Sequence, residues 1–186
     1  DATVPYDAKD MFCRQLGLFG TEKSVAVLAP MLADPKTSDI ARYALERIPG
    51  DAADQALLGL LTKTQDEKIK IGAISSLGAR KTASAVGPLS ELIGDVSQAI
   101  SAAAVLSLGR IGTADAADAL MASVKTISPD NKMLLLDALL SCAQKAQNTK
   151  AAAIYQQLYG PDYPSAIRAG ALRGLVQVQA GQAEKV

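Results

Sequence analysis

The chain has 186 residues, carries 19 basic against 19 acidic side chains for no net charge, and contains no histidine. Balanced and dispersed charge excludes a field-driven attraction to nucleic acid or anionic lipid, while the lack of histidine removes imidazole acid–base catalysis, haem ligation by histidine and most zinc sites. Cys13 and Cys142 stand alone, without the paired spacing of a metal or redox motif, and no uncharged apolar run reaches the roughly 18 residues that span a bilayer. No cofactor, metal, nucleic-acid partner or direct membrane insertion is therefore expected.

Apolar residues make up 49% of the chain but aromatics only 4%. Small side chains at that density let helix backbones approach closely. Self-similarity then organises the chain. Leucine precedes an anchor position four times, at Leu16-Gly17, Leu45-Glu46, Leu77-Gly78 and Leu108-Gly109, with anchors 29, 32 and 31 residues apart. Around each anchor, apolar residues recur in steps of three and four, the spacing of one helical face.

The first unit spans 5–34: a helix to Gly20, then a second with Val25, Leu28 and Leu32 on one face. Gly20 is expected to end its helix in the left-handed conformation, with Thr21 capping the next. The second unit, 37–63, turns at Pro49-Gly50 and continues through Leu57 and Leu61. The third, 65–94, opens on a capping-box pattern, Thr64 to Glu67. It carries Ile69, Ala73 and Leu77, then Val86, Leu89 and Ile93. Lys81 stands where Gly20 and Gly112 stand in their units, so a different or strained turn is expected there.

The fourth unit, 96–126, opens on Asp95 and Gln98, breaks at Gly112-Thr113, and resumes with Leu120 and Val124. Ser128-Pro129 reads as an N-cap with proline in the first turn and starts a fifth unit, 129–159, with helices over 133–147 and 150–158. A last helix, 164–179, has no visible second helix, so the array is either cut there or capped by the tail 180–186. No strand pattern competes. The expected fold is all-α: a right-handed α-α superhelix, a HEAT/ARM-like solenoid of about five helical hairpins plus a final helix, in one domain over 1–186.

The segments ARYALERIP (41–49), IGAISSLGAR (71–80), SAAAVLSLGRIGT (101–113) and IRAGALRGL (167–175) resemble HEAT repeats in their short form of about 30 residues, like those of the phycobilisome-lyase type. The resemblance covers nearly the whole chain and implies a protein-binding role. Residues 12–34, FCRQLGLFGTEKSVAVLAPMLAD, look like HEAT modules that accompany carbohydrate-active or redox domains in exported bacterial proteins. That similarity implies an exported, multidomain parent at the periplasm or cell surface. Asp1 in place of an initiator Met fits a processed or trimmed N-terminus, which leaves room for an export signal that was removed. Tetratricopeptide repeats are the nearest alternative. Their tryptophan-containing pattern is absent, although 151–172 has some of their flavour.

Candidate chemistry resolves into structural roles. Gly109-Arg110-Ile111-Gly112-Thr113 lacks the Gly-Lys-Ser/Thr ending of a phosphate loop and repeats the register of Gly17 to Thr21, so helix termination is expected. Cys13 and Cys142 belong to the first and fifth units, which stacking separates by roughly 30–40 Å, so no disulfide between them is expected. Arg14, Arg42, Arg110 and Arg168 recur near helix ends and are read as a ladder pairing with carboxylates such as Glu46 and Asp34. The pairs Asp51/Asp54 and Asp115/Asp118 sit at helix N-termini, where the dipole stabilises the anion, the wrong direction for a general acid.

What remains is a surface. A HEAT solenoid lines its concave side with the second helix of each hairpin, and the exposed positions expected there are Glu22, Lys23, Gln55, Lys63, Glu91, Asp118, Met121 and Lys125. The expected function is a non-catalytic scaffold that docks a protein partner or another domain of the same chain. The alternative is a rigid spacer holding an attached carbohydrate-active or redox domain; an enzyme is the remote third.

Overall fold

The computed structural model of the chain describes residues 4–146 and 149–183. Among the described residues the regular elements are all helical. They are α1 (Tyr6–Phe19), α2 (Glu22–Leu28, continued by a 3-10 turn, Ala29–Ala33), α3 (Ser38–Leu45), α4 (Asp51–Lys63) and α5 (Glu67–Arg80, followed by the 3-10 turn Ala83–Ala85). Then come α6 (Val86–Glu91, continued by Leu92–Gly94), α7 (Gln98–Ile111), α8 (Ala114–Ser123), α9 (Pro129–Ala146), α10 (Thr149–Leu158) and α11 (Ser165–Ala183). The helix read over 133–147 starts earlier, at Pro129, and its last residue, Gln147, lies outside the described residues. In the tail read as 180–186, Ala180 to Ala183 continue α11, and 184–186 lie outside the described residues.

The chain forms two compact units, Asp1–Ala85 and Val86–Val186. Their boundary falls inside 65–94, which the repeat register reads as a single hairpin. Each unit is an all-α, solenoid-type stack. In the first, α3 lies against both α1 and α5, while α2 and its 3-10 extension lie on α3 and α4. Leu28, Leu32, Leu45, Ile48, Leu57, Ile74 and Leu77 are almost fully buried there, each contributing about 1.5–3 kcal/mol relative to exposure. In the second, α9 lies against α7, α8, α10 and α11, around Leu108, Leu120, Leu135, Leu136, Leu139 and Leu158.

Small residues set the spacing between first helices. A Cβ at Gly109 would stand 2.9 Å from the Ala138 Cβ and 3.2 Å from its Cα. That approach holds α7 against α9 through backbone rather than flexible side chains.

Among the first-helix ends Gly20 departs from the sequence reading, while Gly112 and the strained turn at Lys81 follow it. Gly112 does take the left-handed conformation (φ 67°, ψ 20°), and the Thr113 hydroxyl accepts from the Ala116 amide at 3.2 Å. Gly20 does not: it is extended (φ −65°, ψ 152°). A Cβ there would collide with the Leu16 carbonyl oxygen, so crowding rather than handedness favours glycine. Lys81 takes the left-handed cap itself (φ 57°, ψ 40°), and the Thr82 amide closes onto the Leu77 carbonyl at 3.1 Å. The third turn is thus the same turn in a residue that adopts it at a cost of roughly 1–2 kcal/mol.

The two capping boxes are also displaced. Asp66, not Thr64, caps α5, accepting from the Ile69 amide at 3.0 Å, while Thr64 Oγ1 accepts from the Asp66 amide at 3.2 Å. Ser97, not Asp95, caps α7, accepting from Ile100 at 3.3 Å, while Asp95 accepts from Ser97 at 2.8 Å. Each upstream side chain shapes a turn two residues before the true cap. Ser128 stands directly before Pro129, the first residue of α9, as its sequence suggests, and its hydroxyl donates to Gln98 Oε1 at 2.8 Å.

Candidate interaction surface

The structure gives the recurring arginines different partners from those expected. Arg14 pairs with Asp10 of its own helix at 2.9 Å and lies over the Tyr43 ring. Arg42 donates to the Gly72 carbonyl and to Ser76 Oγ, both at 3.2 Å, and pairs with Asp39. Ser76 in turn donates to Glu46 at 2.7 Å, so Glu46 joins Arg42 through a hydroxyl instead of directly. Asp34 accepts from the Lys36 amide at 2.9 Å. Arg168 lies over the Tyr159 ring at 5.7 Å, and Arg110 is exposed.

The principal cation of the first unit is Arg80. Its guanidinium donates to the carbonyls of Leu45 and Ile48, both at 2.6 Å, to that of Gly50 at 2.9 Å, and to Asp54 at 2.5 Å. Asp54 also accepts from Thr82 Oγ1 at 2.6 Å. Arg80 therefore holds the end of α3 and the turn into α4 from the following first helix. Lys145 does similar work in the second unit, donating to the Gly109 and Arg110 carbonyls at 2.6 and 2.9 Å. Cations at helix C-termini offset the dipole and satisfy its open carbonyls. Sequence reasoning missed both because each clamp joins residues about 35 apart across a stack; the signal available was only a cation at a first-helix end.

Of the expected surface residues, Glu22, Lys23, Gln55, Lys63, Glu91, Asp118 and Lys125 are exposed and Met121 is half-buried. Two of them have structural roles. The Glu22 carboxylate lies over Gly50, where a Cβ would collide with it and where φ is 93°. Asp118 pairs with Lys150 at 2.6 Å.

Met121 and Lys125 are brought together. They line a groove of about 730 Å³ in the second unit, between the end of α8, the start of α9 and the turn before α11. Buried Val124 and Leu136 border it, with Met121, Met133, Tyr163 and Pro164 also lining it and Lys125, Lys132 and Asp162 as its charges. The chain fixes this groove locally. Pro129 starts α9 directly after the α8 turn. The buried Asn131 amide then ties α9 to the Gln98 carbonyl and Oε1 at 3.0 and 3.1 Å. Two methionines supply an adaptable apolar surface.

The chemistry of the remaining groups is structural. Burial, assisted by Asp10, raises the Cys13 thiol above its ordinary value, and burial pushes Cys142 up to about 11 despite the opposing charge of Lys145. Both are free thiols, held in the protonated form that is a poor nucleophile. Asp54 and Asp118, read as members of carboxylate pairs, are engaged by Arg80 and Lys150. Among the described residues no group of three or more His, Cys, Asp or Glu is placed to hold a metal, and no helix is long and apolar enough to cross a membrane.

Comparison with known proteins agrees with this architecture. Residues 54–140 match the family described as HEAT repeats. No curated protein matches the chain. Among solved structures, the crystal structure of an engineered protein is similar with a TM-score of 0.55 and 18% identity, over 96% of this chain and 93% of that one. At that identity the likeness concerns the fold.

Proposed function

With HEAT repeats over residues 54–140, the chain is of the HEAT-repeat family, and from that premise we propose that it is a non-catalytic scaffold that docks a protein partner through the second-helix side. HEAT repeats are in general protein-interaction modules. The observation that carries the finer reading is the groove at Met121 and Lys125. It is apolar along its length, methionine-lined, and bordered by two lysines and one aspartate. This chemistry suits a short apolar segment with an acidic flank. Glu91 and Asp118, in the same unit, complete the proposed surface as polar rim positions, while Glu22, Lys23, Gln55 and Lys63 are second-helix positions of the first unit and do not line this groove.

A featureless second-helix side would favour the alternative, a rigid spacer carrying a carbohydrate-active or redox domain. The methionine groove favours docking. The source of the docked segment is either a separate protein or another domain of the same polypeptide. An exported setting rests on the resemblance of residues 12–34 to modules of exported proteins.

Selection of displayed peptides on the purified chain tests the reading. Peptides with an apolar core and an acidic flank are expected, losing at least about tenfold in affinity, or 1.4 kcal/mol, on Met121→Glu or Lys125→Glu and nothing on Lys63→Gln. Failure to select any binder, or binders indifferent to both groove substitutions, would leave the spacer as the better account.

A further inference from the structure

The chain carries its sulfur in four methionines and two cysteines, and it has no tryptophan and no histidine. Cys13 and Cys142 are 2% and 1% exposed, and burial holds both as thiols. A cysteine reacts with peroxide through its thiolate, so neither is a ready oxidation site. A thioether has no proton to lose and reacts wherever an oxidant reaches it. None of the four methionines is buried.

Two of the four line one groove, that between the end of α8, the start of α9 and the turn before α11. Met121 there is half-buried, and Met133 is 43% exposed. Leu136 and Val124 also line it, but at 1% and 7% exposure they belong to the core. The flexible apolar side chains that a docked segment meets are therefore the two methionines, set among the shorter or more rigid Ala122, Pro129, Tyr163 and Pro164. A change at either sulfur alters this surface and leaves buried Leu120, Leu135 and Leu136 in place.

We propose that Met121 and Met133 are oxidation sites through which a hydroperoxide switches the docking groove off. The inference rests on the reading of that groove as the docking site. With hydrogen peroxide, a sulfur lone pair attacks one peroxide oxygen; an S–O bond forms and the O–O bond breaks. The proton on the transferred oxygen passes to the departing hydroxide, giving water. Sulfur is oxidised by two electrons and the peroxide is reduced by two. The sulfoxide oxygen is a polar acceptor, and an apolar segment that covers it removes its water without offering a donor. Docking is weakened while the fold is kept. Methionine sulfoxide reductases, with a dithiol as reductant, return the thioether and reverse the switch.

A peptide selected on the untreated full chain, and dependent on Met121 and Lys125, serves as the probe. Its affinity is measured before and after dilute hydrogen peroxide, with peptide mapping by mass spectrometry to locate each added oxygen. Oxygen is expected on Met121 and Met133, with unchanged helical circular dichroism, a loss of at least about tenfold in affinity, and recovery after enzymatic reduction. Met121→Leu/Met133→Leu is expected to bind the peptide and to keep its affinity through the same treatment. Met11→Leu/Met31→Leu, which retains only the groove methionines, is expected to lose affinity as the parent chain does. Affinity unchanged with both groove methionines oxidised overturns the proposal. So does a loss of helicity on oxidation, or an equal loss in Met121→Leu/Met133→Leu, which would place the effect at Met11 or Met31. A chain on which no groove binder can be selected fails the docking reading and this inference with it, whereas a groove binder that oxidation leaves in place fails this inference alone.

Discussion

Helices α1 and α3 both stand in the first-helix position of the same unit, and they are buried very differently. In α3, five of eight residues are buried: Ser38, Ile40, Ala41, Ala44 and Leu45. In α1, Cys13 alone of fourteen is buried, while Met11, Phe12, Leu18 and Phe19 lie 53–80% exposed. The cause is the number of first-helix neighbours: among the described residues α3 packs against both α1 and α5, whereas α1 packs chiefly against α3. Helix α9, between α7 and α11, behaves like α3 and buries Leu135, Leu136, Leu139 and Cys142. A helix apolar on two faces is thus satisfied or stranded by position in the stack, with no change in its own pattern.

The comparison breaks first on its largest expected effect. Leu45→Ala should cost about 3 kcal/mol in denaturant unfolding, because a fully buried leucine leaves a cavity, whereas Phe12→Ala should stay within about 0.5 kcal/mol. Equal losses would mean that α1 is covered in solution.

Second is the clamp. Arg80→Met should cost about 2–3 kcal/mol, leaving Asp54 and the carbonyls of Leu45 and Ile48 without their donor. In the preceding first-helix pair, Arg47 lies over the Tyr43 ring at 3.7 Å and donates to the Tyr43 carbonyl. Arg47→Met should accordingly cost well under half as much.

A smaller gain is expected at the third turn. Lys81→Gly should raise stability by about 1 kcal/mol, since glycine takes φ 57° without penalty. A loss there would mean that the lysine side chain supports the turn in some further way.

The smallest effect is confined to alkaline pH. The Cys142 thiol is held up at about 11 from an ordinary 9.0, so the unfolded chain releases its proton first as pH rises. Stability is then full below about pH 9 and falls as pH climbs toward 11. Cys142→Ala should lessen that decline in unfolding titrations, and an unchanged slope would show that the thiol is not the group responsible.

Much of this was legible in the residues. The ladders Val25/Leu28/Leu32 and Val86/Leu89/Ile93 marked the second helices because helical periodicity is a property of a few consecutive residues. Gly112-Thr113 marked a helix end for the same local reason. Of the groove in the second unit, Met121 and Lys125 were legible as second-helix positions, though Met121 is half-buried rather than exposed. Their convergence with Met133, Leu136 and Tyr163 was not, because those come from α9 and the turn before α11.

By itself, then, the sequence determined that these segments are helices, where most of them stop, and that their apolar faces demand stacking. Tertiary structure alone decided the rest. It made Gly20 a matter of crowding against Leu16 rather than handedness. It passed the capping of α5 and α7 to Asp66 and Ser97, and it set Arg80 and Lys145 on carbonyls about 35 residues away. It also decided which apolar side chains stay exposed, Phe12 and Met133 among them. The reason is physical: periodicity and propensity act within a turn or two of helix, but whether a face is buried or a carbonyl is met depends on which neighbour the stack brings to it.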